Sequence, residues 1–520
     1  MPFQGYYYLL KIITMKKILF IIFFILSINQ LQSQINYFNK LYNTYNTESV
    51  AFNIIPNIQG YVVSGIVIDS ALFKFNILLQ QLDTIGNQLF SKEYELDSAD
   101  YYIGGAGGGG FARCNSGSYI IAGDIVNGIH NKIFLMRLDS NFDTLWTKIL
   151  FDDTVFTALR KCIETSDHGF ALCGEKRVYN QPTYATQAFM IKTDSLGNIE
   201  YEKLYNITGG HNGDKCDAAY TIAETPDSGY LLGCVTYDNL QQGTGDPVVI
   251  KTDSLGNVKW IKNFGGSEKE LNANVHICND SNYLVASMWS TYTSLGNDVW
   301  RAKIHLTKLR PDGSIIWEKI YEPDFAFLTI YKVIEDNNGN FIITGIKEDI
   351  FGNEGFFITY LFKVNSNGDS IWYRNLYHEV NLPTIPDVND VSNIEAAKDG
   401  GVVGCGKVLK AGYIPQSMWV FKTDSLGCLQ AGCQYVGVEE LQKAKEEINI
   451  YPNPATTQTT ISYPSTEKGI VLQIYNMLGQ LIYEEKLSKG SSQTTIDTRA
   501  YKKGLYKVVV GESSGNLIIN

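Results

Sequence analysis

Residues 192–198 carry the heptapeptide KTDSLGN, and the same seven residues recur at 251–257. A third copy, KTDSLGC, occupies residues 422–428. Weaker copies are QLDTIGN at 81–87, RLDSNFD at 137–143, KLRPDGS at 308–314 and KVNSNGD at 363–369. The third residues of these copies are Asp83, Asp139, Asp194, Asp253, Arg310, Asn365 and Asp424. Their spacings are 56, 55, 59, 57, 55 and 59 residues, so the chain repeats one unit seven times.

A second sequence pattern recurs with the same period as the first. An aromatic residue lies seven positions after each of the first six anchors, as Phe90, Trp146, Tyr201, Trp260, Trp317 and Trp372. A base lies two positions further on, as Lys92, Lys148, Lys203, Lys262, Lys319 and Arg374. After the seventh anchor, Ala431 occupies the aromatic position, but FNKLYN at 38–43 is similar to YEKLYN at 201–206. We therefore expect a strand at 38–43 to complete the seventh unit.

Each unit contains four strand-like runs, for example 220–224, 230–237, 247–252 and 258–264. The turn sequences TPDSG and DSLGN join them, and an Asp followed by a Gly fits a type I turn with a G1 bulge. Four antiparallel strands repeated seven times predict an all-β, seven-bladed β-propeller over residues 34–434, with the N-terminal strand closing the last blade. An eight-bladed ring is the alternative.

The turn between the third and fourth strands resembles the Asp-box of sialidase-like propellers, although its glycine and aromatic stand further from the aspartate. We interpret it as structural: it holds a hairpin and places an aromatic ring between blades. A calcium-binding turn is the other interpretation.

The charge and composition of the chain argue against nucleic-acid binding and favour a β-rich fold. The 520 residues include 43 Lys and Arg and 54 Asp and Glu, which gives a net charge of −11. An acidic chain without a basic segment argues against a nucleic-acid partner, because such proteins need a cationic surface. Aromatic residues make up 12% of the chain and Gly is frequent, which favours strands and turns.

The N-terminal residues 1–33 are predicted to be a secretory signal peptide. Lys16 and Lys17 precede an apolar run at 18–28, and Ser33 is a plausible last residue before cleavage. The run is shorter than the roughly 20 residues of a membrane span, and Met15 is the expected true start. We expect no transmembrane segment in the mature chain.

The C-terminal part changes character after a charged linker at 435–447, and short strands between Gly, Pro and Asn turns predict a small β-sandwich over 448–520. Its motifs are YPNP at 451–454, IYNMLGQ at 474–480 and GLYKVVV at 504–510. This segment resembles the type A C-terminal sorting domain of the type IX secretion system of Bacteroidetes. The residues that carry the resemblance are Tyr451, Pro452, Asn453, Pro454, Gly479, Gly504, Leu505 and Tyr506. The resemblance implies transit through the periplasm, recognition by the secretion machinery, and a secreted or cell-surface location.

Cysteines, histidines and glycines supply no recognisable catalytic or cofactor motif. Cys428 and Cys433 enclose four residues in an oxidising compartment and are a candidate disulfide, whereas the cysteines within strands are interpreted as buried thiols. No His or Cys spacing is typical of a metal site, so we predict neither a metal nor a cofactor. The glycine run at 104–110 is interpreted as a flexible loop.

A ligand site is expected where the predicted loops vary most in length, at 177–186, 237–246, 290–303, 347–355 and 410–416. Their aromatic residues are candidate ligand contacts, with packing between blades as the alternative: Tyr179, Tyr184, Tyr237, Tyr292, Trp300, Phe351 and Tyr413. The blade crossovers at the same end carry paired acids, among them Asp217, Glu270 and Asp390.

Three functions compete. The loops favour a non-catalytic module that binds an extracellular glycan or protein. Paired carboxylates at the crossovers would suit a secreted enzyme acting on polysaccharide, if their separation allowed it. The regularity of the repeats would suit a structural or matrix protein. The sequence favours the binding module and names no catalytic residue.

Overall fold

The computed structural model describes residues 37–42, 48–69, 74–95, 100–103, 109–127, 130–150, 156–177, 186–207, 216–239, 244–266, 270–293, 299–325, 328–351, 354–378, 388–409, 416–429, 448–463, 470–476, 481–510 and 513–519. Every regular element in these ranges is a β-strand. The chain divides into two compact units, Met1–Gln434 and Tyr435–Asn520. The predicted signal peptide lies outside the described residues.

The first unit consists of short strands in groups of four. In chain order they are β1 (Phe38–Tyr42); β2 (Glu48–Pro56), β3 (Tyr61–Asp69), β4 (Lys74–Leu82) and β5 (Gln88–Tyr94); β6 (Asp100–Tyr102), β7 (Phe111–Arg113), β8 (Tyr119–Asn127), β9 (His130–Leu138) and β10 (Thr144–Ile149); β11 (Thr157–Glu164), β12 (Phe170–Arg177), β13 (Thr186–Thr193) and β14 (Ile199–Tyr205); β15 (Cys216–Glu224), β16 (Tyr230–Asn239), β17 (Thr244–Thr252) and β18 (Val258–Asn263); β19 (Glu270–Ile277), β20 (Tyr283–Thr293), β21 (Val299–Leu309) and β22 (Ile315–Phe325); β23 (Lys332–Glu335), β24 (Phe341–Phe351), β25 (Glu354–Val364) and β26 (Ser370–Leu376); and β27 (Val388–Ala396), β28 (Val402–Leu409) and β29 (Ser417–Lys422).

Within each group, consecutive strands pair antiparallel from a first to a fourth strand. In the second group, β6 and β7 both pair with β8 and together stand where the other groups have a single first strand. The groups that begin with β11, β15 and β19 are joined by single residue pairs, Thr186 with Cys216 and Gly245 with Glu270. These bridges merge three groups into one twelve-stranded sheet.

The repeated aspartate fixes the turn between the third and fourth strands. Asp253 Oδ1 accepts the backbone N–H groups of Leu255 at 2.9 Å and Asn257 at 2.8 Å. Gly256 between them has a φ of +76°, a conformation that glycine adopts without strain. Asp83, Asp194 and Asp424 make the same two bonds.

The repeated aromatic and basic residues join neighbouring groups. The Trp260 indole donates a hydrogen bond to Pro311 O at 3.1 Å, and Lys262 Nζ donates to Gly313 O at 3.2 Å. A Cβ on Gly313 would lie 3.2 Å from the Trp260 ring, so the absence of a side chain lets the ring cover this turn. Trp317 donates in the same way to Ser366 O at 3.1 Å. The predicted role of the aromatic, packing between groups, is therefore confirmed by these contacts.

The N-terminal strand completes the last group. β1 pairs antiparallel with β29, and Phe38 lies opposite Lys422. Phe38 covers Gly86 of the first group, where a Cβ would lie 2.7 Å from the ring. Lys40 Nζ donates to Gly86 O at 3.0 Å and to Asn87 Oδ1 at 2.9 Å. These are the contacts that Trp260 and Lys262 make within the chain, so the last group is joined to the first.

Three of the predicted variable loops are mostly strand. β20 and β21 remain paired as far as Thr293 and Val299, and β24 and β25 as far as Phe351 and Glu354. β16 and β17 continue, with one irregularity, to Asn239 and Thr244. The prediction of loops at 237–246, 290–303 and 347–355 is therefore wrong for most of their residues. The backbone ladders simply continue through the described residues of these segments.

The end of the glycine run is structural. Residues 104–108 lie outside the described ranges, but Gly109 and Gly110 are buried beside β11. Gly109 O accepts the N–H of Cys162 at 2.7 Å, and a Cβ on Gly109 would lie 1.5 Å from Arg160 O. Only glycine allows two backbones to approach so closely. The interpretation of the whole run as a flexible loop is wrong at these two positions.

The second unit contains β30 (Asn449–Tyr451), β31 (Gln458–Ser462), β32 (Ile470–Asn476), β33 (Leu481–Leu487), β34 (Gln493–Asp497), β35 (Gly504–Val510) and β36 (Ser513–Ile519). One sheet has the order β30-β31-β34 and the other β33-β32-β35-β36. Ile461 and Ile496 of the first sheet share one apolar core with Leu472, Val508 and Leu517 of the second. Two small antiparallel sheets therefore bury a common core.

Across the described ranges, we find no helix with the length and apolarity that crossing a membrane requires.

Candidate functional site

A belt of polar residues crosses the first strands of six groups. Each member stands at the same place in its strand, next to an irregularity in the pairing with the second strand or, in β23, at the first paired residue. We call these residues the polar belt: Asn53, Lys161, Thr221, Asn274, Lys332 and Asn393. Such positions interrupt the apolar alternation of a strand, so each member must find a polar partner or water.

Four members of the polar belt donate hydrogen bonds to the following group. Thr221 Oγ1 donates to Ala273 O at 3.2 Å, and Asn274 Nδ2 donates to Ile330 O at 2.9 Å. Lys332 Nζ donates to Asn393 Oδ1 at 2.8 Å. Asn393 Nδ2 in turn donates to Asn53 Oδ1 at 3.3 Å. In these four cases the belt ties neighbouring groups together.

A cavity of about 510 Å³ opens beside this belt. Its walls are the last residues of β11, β15, β19 and β23, with part of β27, and we call it the first-strand cavity. The volume lies within the range of small-molecule sites, roughly 300–1,000 Å³. Its charged and titratable side chains are Lys161, Glu164, Glu224, His276, Lys332, Glu335 and Glu395.

Each glutamate of the cavity accepts a hydrogen bond or pairs with a cation. The backbone N–H groups of Asn115, Ser166 and Asn279 donate at 2.7 Å to Glu164, Glu224 and Glu335, respectively. Every donor belongs to the turn of the preceding group, so these bonds join groups as the belt does. Glu395 accepts a short hydrogen bond from Lys332 Nζ.

The electrostatics of Glu335 suit an anion that stays charged. Burial opposes ionisation, but the bonds from His276 and from the Asn279 backbone outweigh it and lower the pKa of Glu335 below its usual value. The His276 Nε2 atom lies 3.6 Å from Glu335 Oε2. A general acid of a glycosidase needs the opposite shift, a raised pKa.

Lys161 differs from the other members of the polar belt. Its side chain is partly exposed, and among the described residues its ammonium group makes no hydrogen bond and no ion pair. Burial, and next the charge of the Lys332 ammonium, lower the pKa of Lys161 to about 8, while Cys173 and Glu395 act in the other direction. Within the described part of the chain, the Lys161 ammonium therefore has no direct polar partner, although the charges of Lys332 and Glu395 both act on it.

Of the seven predicted aromatic contacts, the structure describes the side chain of Tyr237 alone. That ring is partly buried and packs on its own hairpin, where a Cβ on Gly245 would lie 2.6 Å from it. Tyr292 and Trp300 are register partners on β20 and β21, and Phe351 ends β24. Tyr179, Tyr184 and Tyr413 lie outside the described residues. Of the predicted contacts that the structure describes, only Tyr292 and Trp300 are neighbours, as backbone register partners.

Among the described crossover acids, Asp217 and Glu270 are buried, and Asp390 is partly buried, which raises the pKa of its carboxyl group to about 6. Asp217 Oδ2 accepts the N–H of Ile207 at 2.9 Å, and Lys407 lies 3.7 Å from Asp390. Cys428 is disulfide-bonded, but Cys433 lies outside the described residues, so the predicted pairing stays a prediction. Among the residues described, no three His, Cys, Asp or Glu side chains are grouped as metal ligands would be.

The first-strand cavity was not predicted, although the repeats contain a signal for it. Lys161, Thr221, Asn274 and Lys332 all stand nine residues before the first residue of the second strand, Phe170, Tyr230, Tyr283 and Phe341. A polar residue at a constant position in otherwise apolar strands marks a special environment.

Comparison with known proteins gives partial matches. A stretch of 102 residues is 28% identical to Beta-agarase A of Zobellia galactanivorans and covers 20% of this chain and 18% of the agarase. The chain thus matches less than a fifth of that relative's length.

Two solved structures are similar over most of their own length. Polysaccharide lyase Uly1 has a TM-score of 0.46 and 9% identity, covering 76% of this chain and 93% of the lyase. The β-propeller domain of the Trilobed protease from Pyrococcus furiosus has a TM-score of 0.37 and 10% identity, covering 74% of this chain and 97% of that domain. Neither similarity extends to the activity of those proteins.

The C-terminal unit has a family match. Residues 449–519 match the family described as Secretion system C-terminal sorting domain. The match spans β30–β36 and includes the motif residues Tyr451, Gly479 and Gly504, so the predicted resemblance is confirmed. Residues 449–519 are therefore a secretion-system sorting domain, and the protein is one that the type IX secretion system delivers to the cell surface or the extracellular space.

Proposed function

We propose that the first unit is a closed, seven-bladed β-propeller over residues 34–434, and that the sorting domain over 448–520 is a β-sandwich joined to it by a linker at 435–447. The count of four-stranded groups that end at β5, β10, β14, β18, β22, β26 and β1 supports seven blades. The contacts of Phe38 and Lys40 with Gly86 support closure. Closing a ring in this way removes the exposed edges of the terminal sheets.

We infer that the exported protein is a non-catalytic module that binds an extracellular glycan in the first-strand cavity. The observation that carries this proposal is a polar cavity whose carboxylates are already engaged, while Lys161 makes no hydrogen bond or ion pair with the described residues. An open cavity of about 510 Å³ suits a few sugar residues better than the surface of a folded protein.

The geometry favours binding over hydrolysis. Glycoside hydrolysis needs a carboxylate pair in which one member is protonated at working pH. Burial opposes ionisation of Glu335, but the bonds from His276 and from the Asn279 backbone lower its pKa, so this carboxylate is not suited to be that acid.

The experiment is a glycan array and a panel of polysaccharides, tested with the purified full-length protein for both saturable binding and the release of reducing ends. We expect binding without products. Ala223→Phe, which places a ring in the cavity wall, should abolish binding, whereas Ser195→Phe at an exposed turn should not.

The outcomes separate the three functions. New reducing ends would support the enzyme instead. Binding unchanged by Ala223→Phe, in a variant that unfolds at the same temperature as the wild type, would exclude the cavity as the binding site. Absence of binding to any glycan would leave the structural function.

A further inference from the structure

We propose that the secretion machinery recognises the sorting domain at one uncharged edge, where the side chains of Tyr451 and Ile518 are exposed. We call this surface the β30–β36 edge, because it consists of β30, β36 and the turn at 451–455. The partner is a component of the type IX secretion machinery that offers an apolar surface to an aromatic ring. The inference does not depend on glycan binding, because it concerns the second unit alone.

The first step concerns the exposure of Tyr451. This residue is 76% exposed, whereas Tyr463 and Tyr506 of the same domain are 5% and 7% exposed and belong to its core. The Tyr451 side chain makes no hydrogen bond and no ring contact with the described residues. It therefore adds little to the core of the domain. Aromatic side chains that are exposed on a folded surface are typical anchors of protein interfaces.

The second step concerns the turn that follows this tyrosine. Asn453 Oδ1 accepts the backbone N–H of Ile518 at 2.8 Å, and the N–H of Ala455 donates to Ile518 O at 2.7 Å. Thr459 Oγ1 donates to Pro452 O at 2.9 Å. These bonds tie the turn to β36 and to β31, so the tyrosine stands on a backbone that is held in place. A side chain on a preorganised backbone binds with a smaller loss of conformational entropy.

The third step concerns Ile518, on the other side of the turn. Leu517 and Ile519 of β36 face the core and are 0% and 4% exposed, whereas Ile518 between them is 42% exposed. The two backbone bonds to the turn place Ile518 beside it. The β30–β36 edge therefore presents two exposed apolar side chains, one from each sheet.

The fourth step compares the two edges of the second sheet, whose order is β33-β32-β35-β36. Residues 448–463 and 513–519, which include β30, the turn and β36, contain no Asp, Glu, Lys or Arg. The opposite edge strand, β33, exposes Glu484 and Lys486. Charged residues on an edge strand discourage association with other chains, whereas an uncharged edge with apolar residues permits it. The β30–β36 edge is therefore the one suited to a partner, through apolar contact.

The test replaces Tyr451 in the full-length protein, expressed in the bacterium that produces it, and measures the protein outside the cell and in the periplasm by immunoblotting. For Tyr451→Ala we expect the amount outside the cell to fall roughly tenfold, with the missing protein in the periplasm, because truncation of an interface anchor removes much of the affinity. Tyr451→Phe should be exported normally, since the ring makes the contact. Ile482→Ser is the matched control on β33, where Ile482 is 42% exposed like Ile518, and it should be exported normally.

Two further measurements separate recognition from folding. Tyr451→Ala should unfold at the same temperature as the wild type, because the side chain makes no contact that stabilises the domain. A photoreactive phenylalanine analogue at position 451 keeps an aromatic ring there and should cross-link, on irradiation of cells, to a component of the type IX secretion machinery. The same analogue at position 482 should not. In isolated cell envelopes the cross-link should be equally efficient from about 50 to 500 mM NaCl, because salt screens ionic contacts but not apolar ones.

The outcomes decide the proposal in either direction. Normal export of Tyr451→Ala would overturn it, and so would a loss of export by Ile482→Ser as large as that by Tyr451→Ala. If Tyr451→Ala unfolds at a lower temperature, the cross-link decides. Absence of an adduct from position 451, or an equal adduct from position 482, would then overturn the proposal. None of these results bears on glycan binding by the first unit.

Discussion

The charge of Lys161 opposes folding, as expected of a residue that serves the proposed site. At neutral pH the folded protein holds an ammonium whose pKa is lowered to about 8 by burial and by Lys332, against 10.5 for an ordinary lysine. The charged form is therefore less favourable in the folded chain than in the unfolded one. Binding sites commonly carry such strain, and removing it stabilises the protein while function is lost.

We accordingly predict that Lys161→Met stabilises the protein at pH 7, by about 1 kcal/mol or somewhat more. The folded chain binds fewer protons than the unfolded chain between pH 8 and 10.5, so the difference from the wild type should shrink across that range. Thermal unfolding of both proteins from pH 7 to 10 measures it. A variant less stable than the wild type would mean that Lys161 is structural.

Asp124 is a second residue with an unusual pKa. Burial raises the pKa of Asp124 to about 7, although the N–H of Leu159 donates to both carboxylate oxygens at 3.1 Å and opposes the shift. The folded chain therefore binds one more proton than the unfolded chain between about pH 4 and 7. Stability from this group should fall as the pH rises through that range.

The prediction is that Asp124→Asn removes part of this dependence. The wild type should lose stability between pH 5 and pH 8, and the variant should lose less. The free energy of unfolding of the variant minus that of the wild type should therefore be about 1–3 kcal/mol higher at pH 8 than at pH 5. Urea unfolding at the two pH values measures the difference. Glu93→Gln, at an exposed position on β5, is the control. An equal effect of Asp124→Asn at both pH values would contradict a raised pKa.

At the scale of elements, a glutamate at the end of a first strand joins one group to the turn of the previous group. Glu224 accepts both the N–H and the hydroxyl of Ser166 at 2.7 Å. The next turn along has Pro226 at the position of Ser166, and the following first strand ends with Ile277 instead of a glutamate. Proline has no N–H to donate, so the acid would have no partner there. Where the turn has no N–H donor, the next first strand therefore has no glutamate to accept it.

Glu224→Ala should destabilise the propeller unit by about 1–3 kcal/mol, because it leaves the Ser166 donors without their partner. Ser166→Ala removes the hydroxyl and keeps the backbone N–H, and it should have a smaller effect. A double-mutant cycle between the two substitutions isolates the side-chain bond. Strictly additive effects in that cycle would show that the hydroxyl bond contributes nothing.

The whole first unit depends on one short strand. β1 stands far from β29 in the sequence but pairs with it, and Phe38 lies in a core with Tyr61, Val403 and Met418. This core contains residues from the first and the last group. In the closed ring that we propose, every group has two neighbours, so loss of one junction should affect the cooperativity of the whole unit.

Phe38→Ala should therefore cost about 3–5 kcal/mol, the usual effect of truncating a buried phenylalanine. Phe90→Ala is the matched control, since Phe90 stands at the equivalent repeat position and stacks on Phe142, but its side chain is 40% exposed. We expect less than half of the loss there, measured by urea unfolding. Equal losses would indicate that Phe38 has no special role in closure.

The periodic features were predictable because they are local and repeated. The Asp turn, the aromatic and the lysine lie within a dozen residues of each other, and seven copies reinforce a signal that one copy leaves weak. The same holds for the sorting domain, whose turn motifs are contiguous. The strand that completes the last group was predictable for the same reason. The last repeat lacks its fourth strand, and residues 38–43 are similar in sequence to the fourth strand of another repeat.

The site could not be predicted from such local patterns. The sequence by itself determined the repeat, the all-β class, the N-terminal strand that completes the last group, and the export signal at 449–519. The tertiary structure alone decided that Lys161 and Lys332 share a cavity, that nearby glutamates are engaged by turns of other groups, and that three predicted loops are paired strands. The physical reason is that the alternation of apolar and polar residues along a strand indicates only which of its two faces is buried. The charge that a side chain meets across a cavity depends on strands separated by more than a hundred residues.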